Sequence, residues 1–479
     1  MLFNSLQYAV FLPIIFALYW ALPHKYRQPL LLAASYYFYM SWNVKYVALI
    51  LFTTAVSYTA AVLLERTDRS GKRRLLLMAA LVACLGVLFV FKYFDFFFAS
   101  LAAVLQRFVI PLHPTTLNLL LPVGISFYTF QTLSYVIDVY RGDVEAERNF
   151  MTYALFVSFF PQLVAGPIER TKNLLPQLKA EHTFDYNQAT YGLKLMAWGY
   201  FKKLVVADNL AVYVDRVFDN VYSFQGFALL LAAFFFTIQI YCDFSGYSDI
   251  ARGTAKLLGI DLMENFKSPY FSASIQEFWS RWHISLSTWF RDYVYIPLGG
   301  NRVSKARHYW NLLVTFLISG LWHGANWTFV IWGGLHGLAQ IGENALRLRR
   351  EERRGSVRWW LRVLLVFVFV MLAWVFFRAQ TLNEAVYVFR HMLDGIGAPA
   401  GYFRNGLKAI EMGMYGFLRS IFVYLLPLFA FDLFALRIDL ITAISQKRVL
   451  IRYSFYCLLM LSLIFFHAIG EFSFVYFQF

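Results

Sequence analysis

YWNLLVTFLISGLWHGANWTFVIWGGLHGLAQIG, residues 309–342, carries no formal charge, yet basic residues fence it on both sides. Arg302, Lys305 and Arg307 precede it; Arg347, Arg349, Arg350, Arg353, Arg354, Arg358 and Arg362 follow it. A run this apolar enters a bilayer, and lysine and arginine beside apolar spans mark the cytoplasmic side. With both fences on one side, the chain must go in and come back. Two full crossings of a ~30 Å core need about 40 helical residues. The stretch is shorter, which predicts a deep dip that turns at SGLWHGANW, 319–327, where Gly320 and Gly324 ease the backbone. His323 then sits well inside the membrane, roughly 20 Å along a helix from the polar end.

The rest of the chain agrees with a membrane setting. Of its 479 residues 59% are hydrophobic and only 15% charged, against about 25% charged in a soluble chain. The apolar residues also come in blocks. Runs near 3–22, 44–64, 75–98, 117–140, 225–242, 361–377, 421–436 and 453–469 each approach the length of a crossing. Shorter or mixed runs lie near 29–42, 151–165 and 189–206. The expectation is an all-α polytopic protein with about ten to twelve transmembrane or re-entrant helices. The first run lacks a basic lead and a small-residue cleavage site, so it reads as a retained helix. Polar stretches near 166–188, 250–275 and 390–418 are too short to fold alone, so residues 1–479 read as one membrane domain with a catalytic core about 121–342. The net charge of +15 collects in short loops, which reports topology and argues against nucleic acid. Cys84, Cys242 and Cys457 stand far apart in apolar runs, a pattern that suits neither disulfides nor a metal site.

Chemistry concentrates between 276 and 340. In QEFWSRWHISLSTWFRDYVYIPLGGNR, 276–302, Trp282, Trp289 and Tyr293 fall close to one helical face with charges between them. That predicts an interfacial or cavity-lining helix, closed by a turn at Pro297–Asn301. An ionisable residue inside a membrane is a functional candidate by default, which singles out His323, with Trp322 before it and Asn326 close by. His336, among Gly333, Gly334 and Gly337, reads as a packing residue. Asp243 and Asp249, at the end of an apolar span, are expected to pair with arginines of the 281–291 helix. Arg302 and Lys305 are candidates to grip phosphate.

Several motifs taken together resemble the membrane-bound O-acyltransferases, in particular their alginate O-acetyltransferase branch. They are FWSRWHISLSTWFRDYVYIPLGGNR (278–302), SGLWHGANWTF (319–329), YCDFSGYSDIARG (241–253), LPVGISFYTFQTLSYVIDVYRG (121–142), FFPQLVAGPIER (159–170) and FVYFQF (474–479). Ser280 stands where a basic residue is common, and Asn326 where alanine is common. The resemblance implies a ring of helices around a central two-sided tunnel, with catalytic roles for His323 and His283. It further implies acetyl-CoA as the cytoplasmic donor, with no cofactor bound permanently. The acceptor would be an extracytoplasmic polysaccharide, reached with a periplasmic SGNH-like or export partner, in a bacterial inner membrane. A buried imidazole stays neutral and can take a proton from an attacking hydroxyl. The developing oxyanion needs a donor, for which His283, the Trp282 indole and Asn326 are candidates. Trp322 would wall the site, and small residues such as Ser319 and Gly320 would line the passage. D-alanyl transfer to teichoic acid and peptidoglycan O-acetylation are the alternatives within the class. A transporter or flippase would show duplicated halves and acids along a pathway, neither of which is clear, and a silent scaffold would have lost one histidine.

The charge pattern places loops 65–74, 301–308 and 347–362 in the cytoplasm. Cysteines placed at Arg302 and Arg358, with the three natural ones replaced, should resist an impermeant maleimide added outside and react after permeabilisation. Labelling of the 347–362 loop from outside would overturn the re-entrant reading of 309–342.

Overall fold

The computed structural model describes residues 1–108, 116–164, 166–346, 353–470, 472, 474 and 475. The basic positions Arg347, Arg349 and Arg350 and the terminal 476–479 lie outside them. No β-strand occurs among the described residues. Five helices there are long and apolar enough to cross a membrane, and Leu6–Ala21 and Val449–Phe465 are shorter apolar helices. The protein is thus an all-helical membrane protein. Its chain divides into two compact units, Met1–Met196 with Ile250–Met263, and Ala197–Asp249 with Glu264–Phe479.

The first unit holds α1 (Leu6–Ala21), α2 (His24–Met40), α3 (Val47–Glu65), α4 (Ser70–Gln106), α5 (Ile125–Arg141), α6 (Phe150–Ser158), α7 (Thr171–Lys179) and most of α8 (Tyr186–Tyr200). Polar side chains tie these helices at points where lipid offers no partner. Tyr153 donates to Ser57 at 2.7 Å, and the Arg73 guanidinium reaches the carbonyls of Leu64 and Tyr140 at 2.6 and 2.9 Å. The run expected from 117 becomes helical only at Ile125, after Gly124 at φ +76°.

The second unit holds α9 (Asp208–Phe218), α10 (Phe227–Leu257, its last turns belonging to the first unit), α11 (Ile275–Arg281), α12 (Ile284–Phe290), α13 (Lys305–His323), α14 (Trp327–Ala345), α15 (Val357–Arg378), α16 (Leu382–His391), α17 (Pro399–Ala409), α18 (Met414–Ala435) and α19 (Val449–Phe465). α10 does not stop where its apolar run ends at Cys242 but continues through the polar 243–257. It can do so because its acids are paired inside the protein. Lys203 reaches Asp243 and Asp208 at 2.7 and 2.8 Å, and Lys202 reaches Asp249 at 2.6 Å. The arginine partners expected for Asp243 and Asp249 are therefore replaced by lysines 40 or more positions upstream. Arg281 instead pairs with Glu277, and Arg291 with its neighbour Asp292. Both lysines lie in a π-helical turn, Phe201–Ala207. A π turn is wider than an α turn and is common at functional places. Here two consecutive long side chains are both buried.

α13 and α14 form the antiparallel hairpin foreseen from the charge pattern, with the turn at Gly324–Asn326. The helices reach beyond the charge-free stretch, since Lys305–His308 and Glu343–Ala345 extend them to 19 residues each, about 28 Å per arm. Glycine allows the arms to touch backbone to backbone. A Cβ at Gly320 would lie 2.2 Å from the Phe329 carbonyl oxygen, and one at Gly333 would lie 2.2 Å from that of Phe316. Gly320 thus faces α14 and lines no passage. The space beside Gly324 is filled by the Phe329 ring.

Gly320→Ala and Gly333→Ala should each lower thermal stability in detergent by about 1–3 kcal/mol, the usual cost of overpacking. Helix propensity alone would favour alanine by up to ~1 kcal/mol, but a backbone carbonyl at 2.2 Å cannot yield. Gly342→Ala, with nothing within 4 Å of its Cβ, should be neutral or stabilising. Equal midpoints for all three variants would remove the backbone contact as the hairpin's determinant.

Candidate active site

The segment read as one amphipathic helix over 276–302 is two short helices. α11 starts at a capped end: Ser274 accepts from the Glu277 amide at 3.0 Å, while the Glu277 side chain reaches back to accept from the Ala273 amide at 2.8 Å. It ends at Arg281, and His283 takes the left-handed conformation at φ +43° before α12 begins. Trp289 and Tyr293 share a face, with ring centroids 5.0 Å apart. Trp282 is separated from them by the break and packs inward on Phe278, Tyr270 and Trp374.

A strap at Asn265–Lys267 takes up the backbone groups that the break releases. The Lys267 amide donates to the Arg281 carbonyl at 2.9 Å, and the Ile284 amide to the Asn265 carbonyl at 3.0 Å. The Asn265 side chain does more. Its Oδ1 accepts from the Ser285 amide at 3.2 Å and the Ser285 hydroxyl at 2.9 Å, and lies 3.1 Å from His283 Nδ1. A backbone amide can only donate, so the Asn265 atom facing it is the oxygen. His283 Nδ1 must then carry the proton, which leaves Nε2 with the lone pair. No signal in the sequence marked Asn265, because its partners lie about 20 positions away.

His323 is the last residue of α13 and is buried. Its ring meets Trp322, Trp332 and Phe377 at centroid distances of 4.8, 5.0 and 5.4 Å. Trp322 also meets His283 at 6.1 Å, so one indole joins the two histidines. Behind them Trp332 stacks on Trp374 at 5.4 Å, and Trp374 contacts Trp282 at 5.0 Å. The indole N–H groups of Trp282, Trp332 and Trp374 are buried without a hydrogen-bond acceptor among the described residues. His336 is a packing residue: Trp279 donates to its Nδ1 at 3.2 Å, and aromatic rings surround it.

Residues 146–384 match the membrane-bound O-acyltransferase family. A probable alginate O-acetylase of Azotobacter vinelandii is 44% identical over 379 residues, covering 78% of this chain and 74% of the relative. The chain belongs to the membrane-bound O-acyltransferase family. A peptidoglycan O-acetyltransferase of Helicobacter pylori is 38% identical over 430 residues, 83% of this chain and 81% of its own length. A teichoic acid D-alanyltransferase of Streptococcus thermophilus is 29% identical over 273 residues, 54% and 65%. The protein is an O-acyltransferase.

Not every candidate position joins the histidine cluster. Asn326 has both ends of its amide engaged by the chain: Oδ1 caps α14 by accepting from Thr328 at 3.0 Å, and Nδ2 donates to the Gln380 carbonyl at 2.8 Å. Arg302 is exposed in the turn before α13, with the full length of that helix between it and His323.

Asn265→Leu removes the acceptor shared by Ser285 and His283. It should cost about 1–3 kcal/mol through the stranded donors and lower acyl transfer by roughly tenfold or more as His283 loses its orientation. Asn265→Asp keeps an acceptor and should retain far more activity. Wild-type rates and midpoints for Asn265→Leu, measured on purified protein, would show that the strap does not orient His283.

Proposed function

We propose that this acyltransferase takes acetyl groups from acetyl-CoA on the cytoplasmic side of a bacterial inner membrane. Their destination is the hydroxyls of an extracytoplasmic polysaccharide of the alginate type. The observation that carries the reading is the placement of His323, buried at the tip of a hairpin whose basic end lies one full helix away. Exposed Arg302, Lys305 and Arg307 at that end suit the phosphates of the donor. Lipid excludes those phosphates, so only the narrow pantetheine arm travels toward the histidines, through the two-sided passage that the family resemblance implies.

The transfer is an acyl exchange. A hydroxyl oxygen attacks the thioester carbonyl, the C–S bond breaks, an ester forms, and the hydroxyl proton ends on the coenzyme A thiol. His323 serves as the base that takes the proton and returns it to the leaving sulfur. His283, with its proton fixed on Nδ1 by Asn265, presents Nε2 as a second acceptor that can orient the hydroxyl. Its tautomer makes it a poor oxyanion donor, and Asn326 is engaged elsewhere, which leaves the buried indole N–H groups, of which those of Trp282 and of Trp332, whose ring meets His323, are the donors we assign to the oxyanion. Trp322, touching both histidines, excludes water from between them. The attacking hydroxyl belongs to a periplasmic partner of the SGNH type; a polymer hydroxyl then attacks the ester formed on the partner, takes the acetyl group and returns the partner's hydroxyl.

Peptidoglycan is the second acceptor reading, favoured by the Helicobacter pylori relative and the share of its length that matches. The more distant teichoic acid relative gives D-alanyl transfer less support.

His323→Ala should lower polymer acetylation by about a hundredfold or more, the usual contribution of a general base, while the protein accumulates normally in membranes. Undiminished ester content by NMR of the isolated polymer would sink the assignment. Deleting the gene should remove acetate from exopolysaccharide and leave muropeptides acetylated as before; the reverse pattern would select peptidoglycan.

A further inference from the structure

After α19, among the described residues, three polar links tie the chain to the rest of the second unit. Asn209 donates through Nδ2 to the Phe466 carbonyl at 2.8 Å, and the Ala468 amide donates to the Leu204 carbonyl at 3.1 Å. The Leu204 carbonyl is offered by the π turn, which breaks the regular α ladder at this point. The third link is made in the interior. The Val475 amide donates to Asp243 Oδ2 at 2.6 Å, while Asp243 Oδ1 holds Lys203 at 2.7 Å. Lys203 is shared with Asp208 at 2.8 Å. A carboxylate offers about four lone-pair sites, more than a shared ammonium fills, so the buried Asp243 has capacity left for the amide. Hydrogen bonds to a charged acceptor are roughly twice as strong as neutral ones.

The segment so anchored lies next to the histidines. Phe474 is buried against Phe244 and Tyr247, at centroid distances of 5.8 and 4.8 Å. Phe244, the residue after Asp243, sets its ring edge-on to His283 at 4.6 Å. One aromatic side chain therefore separates the returning segment from His283. Asp243 and Phe244 leave α10 on adjacent positions, one gripping the segment's backbone and the other passing its position to the imidazole.

We infer that Asp243, set by Lys203 and Asp208, is a positioning residue for acyl transfer: it anchors the segment around Phe474–Val475 so that this segment supports His283 through Phe244. The inference rests on the proposed role of the two histidines. Because the anchor is a backbone amide, it is indifferent to the side chain at 475 and fails only where the N–H is lost.

Val475→Pro removes that N–H and leaves the Lys203–Asp208–Asp243 cluster intact; Asp243→Asn keeps the shape and removes the charge. The purified protein in detergent is digested with chymotrypsin, and cleavage after Phe472, three positions before the anchor, is followed by mass spectrometry. Both variants should be cut there at least about tenfold faster than wild type, a readout that needs no activity. In acyl-transfer assays both should lower kcat by roughly tenfold with KM for acetyl-CoA within about twofold, as expected when orientation is lost and donor binding is not. The double variant should be no worse than the more impaired single one. If Val475→Pro is cut after Phe472 no faster and transfers as well as wild type, the anchor is overturned, even where Asp243→Asn fails to fold. Fast cleavage with unchanged kcat overturns the positioning role. Dispensability of His323 would instead refute the catalytic reading and leave the cleavage assay standing.

Discussion

Where α13 crosses α14, the two backbones approach so closely that no side chain fits at Gly320 or Gly333. Lipid provides no hydrophobic force between helices, so helices in a membrane associate by close packing and internal polar bonds, and small residues allow the approach. With the arms locked in register, the end of α13 is fixed, and with it the last residue, His323. The rings around His323 come from both arms and from α15, through Trp322, Trp332 and Phe377. A shift of the hairpin by one turn would dismantle that enclosure, so the glycine contact is the constraint on which the site's geometry depends.

The second constraint is ionic. Charged groups removed from water cost several kcal/mol each unless they are paired and hydrogen-bonded. The second unit meets this requirement by pairing α10 acids with two lysines of one π turn. Asp432 accepts from the Tyr241 hydroxyl at 2.7 Å, which satisfies another buried acid on α18. These contacts explain how a helix with acids at 243 and 249 stays continuous from Phe227 to Leu257.

Much of this was legible in the sequence, and the rest was hidden for identifiable reasons. Apolar run length marked the crossing helices, and the basic fences around 309–342 predicted the hairpin and its turn, because both signals are local. The break at His283 was not legible. Trp282, Trp289 and Tyr293 keep helical spacing across it, and nothing in a histidine announces a left-handed backbone. The lysine partners of Asp243 and Asp249 were missed because pairing across 40 or more residues leaves no pattern in the intervening chain. Nearby arginines looked the natural choice, but each has an acid within four positions of it in the chain. Gly320 was expected to line a passage; the space it leaves belongs to α14, as the space beside Gly324 belongs to Phe329.

The proton held on His283 Nδ1 limits what the other side of the ring can do. Asn265 can accept but not donate at the oxygen facing Nδ1, so His283 cannot exchange tautomers without turning its ring. Its environment resists such a turn, since Phe244 meets the ring edge-on and Phe266 lies parallel to it. His283 is thus a gauge with one reading: while Asn265 holds Nδ1, the lone pair on Nε2 faces one direction only, and a polar group that bonds there must be a donor.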